Sequence, residues 1–97
     1  LPREHEASFD RISDDKLRAL AGTLKEIYLK IRKALNDPSF NFMIHTIPLQ
    51  DRHVESYHWH IEIIPHLTQV AGFELGTGFY LNPAPPEAAA SKLREIC

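Results

Sequence analysis

The amino-acid sequence predicts an α+β domain: an antiparallel sheet packed by one long amphipathic helix and a short C-terminal helix. Three observations carry that class. Apolar residues recur every three or four positions between Leu17 and Leu35. They alternate with polar ones from Phe40 to Ile47, and again from Tyr57 to Leu67. A proline-led, alanine-rich segment then closes the chain. With 97 residues, 1–97 is expected to form one domain with a single core.

Composition narrows the function classes. Hydrophobic content of 43% and charged content of 25% suit a soluble globular chain rather than a disordered one. The 11 basic residues are dispersed among 13 acidic ones, so no phosphate-neutralising stripe forms and nucleic acid is not an expected partner. No apolar run approaches the roughly 20 residues that span a bilayer, so no membrane partner is expected either. LPREHEASFD has none of the apolar core of a signal peptide. One cysteine, Cys97, cannot form an internal disulfide, which fits a reducing, cytoplasmic setting.

Leu1 to Phe9 reads as an extended arm carrying His5 and Phe9. Ser13 is a suitable N-cap, with Asp14 and Asp15 in a first turn where the helix dipole favours negative charge. Leu17, Leu20, Ala21, Leu24, Ile27, Tyr28, Ile31 and Leu35 form one face of a helix of about six turns. Lys30, Arg32 and Lys33 lie in its last turns, and Asn36-Asp37-Pro38 stops it. In the first strand Phe40, Phe42, Ile44 and Thr46 share one face and Asn41, Met43, His45 and Ile47 the other. Pro48 ends that strand, and the polar stretch LQDRHVES connects it to an antiparallel partner. The glycine-punctuated HLTQVAGFELGTGFY reads as a loop feeding a short strand at Gly78–Leu81. Pro86 suits the first position of a helix from Glu87 to Ile96, with Leu93 and Ile96 inward. His5, His53 and His66 read as surface residues.

The second strand carries the chemistry. Tyr57, Trp59, Ile61 and Ile63 point to one face, His58, His60 and Glu62 to the other, and His45 on the partner strand can lie beside them. Alternate strand residues are roughly 7 Å apart, so two imidazoles can converge on one ion or one phosphate. His45, His60 and Glu62 supply two nitrogens and an oxygen, a set that suits zinc or iron. The row His58-x-His60-x-Glu62 is also close to the histidine-triad pattern, in which the middle histidine attacks phosphorus. A cupin site needs a longer gap before its carboxylate. A hydrogen-bonded histidine pair on a solvated face is the purely structural account. In GFELGTGFY, repeated glycines let backbone amides approach a ligand and Phe73 can cover a sugar or base ring, yet the intervals match no P-loop or dinucleotide fingerprint.

YHWHIEIIPHLTQVAGFELGTGFYLNP, preceded by FNFMIHTIP, resembles the C-terminal domain of the galactose-1-phosphate uridylyltransferase family, and the likeness runs from LPREHEASF to the last helix. That family is similar in fold to the histidine-triad proteins. The resemblance implies a parent nucleotidyltransferase that moves a uridylyl group between a hexose 1-phosphate and a UDP-sugar through a nucleotidyl-histidine. The family's nucleophile lies in a His-Pro-His motif of the N-terminal domain, and no His-Pro-His occurs here. No catalytic residue is therefore assigned to this chain, and the N-terminal catalytic domain of the same protein is an expected partner. The family's C-terminal domain binds zinc or iron with one further ligand from the N-terminal half; the matching positions are His45, His60 and Glu62. Glu62 stands where familiar members have a histidine, and His58 matches a non-ligand. The hexose-contacting loop falls on Gly72, Phe73, Glu74, Leu75, Gly76, Thr77 and Gly78, where Gly72 and Thr77 replace the family's lysine and tyrosine. Homodimerisation is part of the same expectation. A stand-alone histidine-triad-like nucleotide hydrolase using His60, or a structural dimerisation module, are the alternatives.

Overall fold

The computed structural model describes residues 1–66, 72–78 and 84–96. Helix α1 spans Asp14–Leu35, strands β1 and β2 span Phe40–His45 and His60–Pro65, and helices α2 and α3 span Gly72–Thr77 and Pro86–Glu95. The class is α+β, as the periodicities require. The chain forms two compact units, Leu1–Leu24 with Phe40–Ile64, and Lys25–Ser39 with Pro65–Cys97; α1 contributes to both.

In the first unit the two strands form an antiparallel pair. Their register sets His45 opposite His60 at one end of the ladder. Both strands are shorter than the alternation implies, because the N-terminal arm takes the flanking backbone groups. Ile47 N–H donates to Ala7 O at 3.1 Å and Trp59 N–H to Glu6 O at 2.9 Å. Phe9 N–H donates to Thr46 Oγ1 at 2.9 Å. The best-buried apolar side chains of this unit are Trp59 and Ile47, at 2% and 3% exposure, with the Phe9 ring edge-on to Trp59 at 5.1 Å. Ser13 caps α1 as expected: its carbonyl accepts from Leu17 N–H at 2.9 Å and its hydroxyl takes a long, 3.4 Å contact from Lys16 N–H.

In the second unit Ile31 is buried, and α1 ends where the chain turns left-handed at Asn36 and Asp37, with φ of 57° and 59°. Asp37 N–H closes the last turn onto Arg32 O at 3.0 Å, and its carboxylate pairs with Arg32 Nε at 2.7 Å. Helix α3 starts on Pro86 as expected, and Leu93 and Ile96 are half-buried. The glycine-rich stretch is corrected: Gly72–Thr77 is a helix rather than a loop. Gly78, at φ 75°, stops it. The rest of the short strand expected up to Leu81 lies outside the described residues.

Much of the apolar pattern is uncovered. Leu17, Ile27 and Tyr28 of the α1 stripe are exposed, as are Phe42 and Ile44 on one sheet face and Met43 and Ile64 on the other. Among the described residues no helix is long and apolar enough to cross a membrane.

A candidate metal centre on the two-stranded sheet

Period-two alternation puts His60 and Glu62 on one face of β2, and the register places His45 directly across from His60. The two imidazoles stack, centroids 4.7 Å apart and planes within 12°. Glu62 reaches both rings, with Oε2 at 3.3 Å from His45 Nε2 and Oε1 at 3.7 Å from His60 Nε2. One donor atom from each of the three residues lies within 4.8 Å of the others. The three candidate ligands from the sequence thus converge.

The hydrogen bonding suits a cation. His60 Nδ1 lies 3.1 Å from His58 O, and a carbonyl can only accept, so Nδ1 donates there and Nε2 is the ring nitrogen that faces Glu62. This is the arrangement of a metal-binding imidazole whose second nitrogen is fixed by a backbone carbonyl. His45 Nε2 is buried and has no hydrogen-bond partner of good geometry among the described residues, with Glu62 Oε2 3.3 Å away. A buried nitrogen of this kind is usually satisfied, and a cation among the three groups would satisfy it. Two imidazoles and one carboxylate fit zinc or iron, with a coordination position left for another ligand.

His58 does not join them. Its ring packs edge-on against His5 at 5.1 Å, and His5 Nε2 donates to Glu55 O at 2.5 Å. Tyr57 flanks His60, ring centroids 6.5 Å apart. His53 and His66 are exposed, as expected. Gly72, Phe73, Glu74, Leu75, Gly76 and Thr77 fall in α2 and Gly78 just after it; from Leu75 to Gly78 the residues are exposed.

Residues behind the site escape sequence reasoning. Glu6 Oε2 accepts from Trp59 Nε1 at 3.2 Å while Lys16 Nζ meets Glu6 Oε1 at 2.5 Å and Glu4 Oε2 at 2.7 Å. The lysine contact, then the indole bond, hold the Glu6 carboxyl below the usual range; Glu4 and then Glu6 push Lys16 up. Asp10, bonded by the Ser8 hydroxyl and by Arg52 at 2.9 Å, is likewise lowered.

No protein-family model matches the chain. It is 44% identical over 98 residues to ADP-glucose phosphorylase of Arabidopsis thaliana, covering 99% of this chain and 28% of that protein. Galactose-1-phosphate uridylyltransferase of Thermotoga maritima is 31% identical over 103 residues, covering 97% of this chain and 32% of the relative. The crystal structure of the Arabidopsis ADP-glucose phosphorylase with bound ADP-glucose superposes with a TM-score of 0.94 at 43% identity, over 100% of this chain and 32% of that one. The chain therefore spans about a third of the length of the proteins it matches.

Proposed function

The chain belongs to the galactose-1-phosphate uridylyltransferase-like proteins, with their histidine-triad-like fold, and we propose that it is the C-terminal, metal-binding domain of a nucleotidyltransferase acting on a nucleotide sugar. The convergence of His45, His60 and Glu62 within 4.8 Å carries the metal half of this reading. Zinc or iron held there would supply a cross-link between β1 and β2. His45 and His60 would each offer a ring nitrogen, Glu62 would balance charge, and a ligand from an N-terminal catalytic domain would complete the set. The exposed end of α2, from Leu75 to Thr77, and Gly78 just after it are the proposed hexose-phosphate contact together with Gly72, Phe73 and Glu74. The nucleophilic histidine belongs to the partner domain, since this chain has no His-Pro-His. A second copy is a further proposed partner.

The nucleotide is the finer question. Identity of 44% to an ADP-glucose phosphorylase against 31% to a uridylyltransferase favours ADP-glucose over a UDP-hexose.

Elemental analysis of the purified chain tests the metal. We expect about one equivalent of zinc or iron per chain and near-complete loss in His60→Ala; metal-free protein that also fails to take up added zinc overturns the assignment. Incubation of the chain with ADP-glucose and phosphate, or with UDP-glucose and galactose 1-phosphate, tests the division of labour. No turnover is expected. Turnover abolished by His60→Ala would replace this reading with a stand-alone hydrolase.

A further inference from the structure

We propose that Glu6, on the N-terminal arm, is a positioning residue for the metal centre, acting through Trp59 on the imidazole of His60. The inference rests on the metal reading above. Trp59 immediately precedes His60 and is held by Glu6 at two points: its backbone N–H on Glu6 O at 2.9 Å, and its indole Nε1–H on Glu6 Oε2 at 3.2 Å. The indole is buried against Phe9, so its donor has no access to bulk water and its rotamer is set by this carboxylate. Lys16, in the first turn of α1, in turn anchors the carboxylate at 2.5 Å.

Side chains of successive strand residues point to opposite faces, so pinning Trp59 inward directs His60 outward. The same backbone presents His58 O to His60 Nδ1 at 3.1 Å, the bond that leaves Nε2 free for a cation. Glu6 touches none of the three ligands. Its influence travels through one residue.

Three substitutions isolate the indole bond. Glu6→Ala and Trp59→Phe each remove it and keep the backbone bond; Glu6→Gln keeps an oxygen acceptor for the indole. Zinc affinity of the full chain, measured by competition with a chromophoric chelator, should fall about ten-fold or more in Glu6→Ala and in Trp59→Phe, the scale for partners of metal ligands. Glu6→Gln should stay within about two-fold of the unsubstituted chain, and the double variant Glu6→Ala/Trp59→Phe should be no weaker than the weaker single. Nitrogen–proton correlation spectra of the imidazoles, recorded without metal, should show His60 protonated at Nδ1 in the parent and mixed tautomers in Glu6→Ala. A purely structural role would not move that signature in a folded variant. Parent-like affinity and spectra in Glu6→Ala overturn the proposal; if that variant does not fold, the same result in Trp59→Phe does so. A parent chain that binds no zinc while its His60 tautomer responds to Glu6→Ala refutes the metal site and leaves the positioning intact.

Discussion

At the scale of single residues, the charges on Glu6 and Lys16 give the first unit a defined pH response. The folded Glu6 carboxyl lies below its ordinary value, because Lys16 and the Trp59 indole favour its charged form. Its contribution to stability is therefore present above the ordinary glutamate range and lost as pH falls through the lowered value. Lys16 is raised, so its share is complete below the ordinary lysine range and lost only as pH climbs through the raised value. Between these limits the pair is pH-independent. Glu6→Gln should be less stable than the parent near neutrality, and the difference in urea midpoint should shrink on acidification. A difference that stayed constant from neutral to acid pH would contradict it. Both groups are exposed enough that salt should weaken the effect.

At the scale of elements, local signals were legible and distant ones were not. The limits of α1 follow from Ser13 before it, an apolar residue every three or four positions within it, and Asn36-Asp37-Pro38 after it. The grouping of His45, His60 and Glu62 was legible too, because a period of two and a short connection suffice to set His45 beside His60. The role of Glu6 was not: its partner lies 53 residues away and no periodicity links them. Helix α2 was hidden because its glycines read as a bend, and the positive φ of Gly78 that ends it is not visible in the sequence. The stop of α1 yields a prediction of its own. Asn36 at φ 57° tolerates the left-handed region, while a β-branched residue there clashes with its own backbone. Asn36→Val should lower unfolding free energy by about 1–2 kcal/mol, with Asn36→Gly changing it by less than half as much. Urea titration at an unchanged m value measures both.

At the scale of the whole molecule, the uncovered apolar surface and the two-stranded ladder of the described residues belong together. Two strands alone are marginal in water. Here the faces that would steady them carry Phe42 at 56%, Ile44 at 41% and Ile64 at 45% exposure. The proteins this chain matches are about three times longer, which is the scale on which such faces can be covered. Beside the ladder and the N-terminal arm, a cation on the proposed His45, His60 and Glu62 site would tie β1 to β2, because these residues come from both strands. A cation bound only to the folded state stabilises it by about 2.7 kcal/mol at a free concentration 100 times Kd. For a chain of this size that corresponds to a rise of about 10–20 °C in the thermal midpoint. The effect should appear in the fluorescence of Trp59, the one tryptophan, which reports the first unit. Zinc should raise that midpoint, a chelator should return it, and His60→Ala should abolish the response. Exposed sheet edges can also pair between copies, and such pairing would make the midpoint depend on protein concentration. Repeating the melt over a range of protein concentrations separates the two: a zinc-dependent shift that survives dilution belongs to the metal clamp, and one that vanishes on dilution does not.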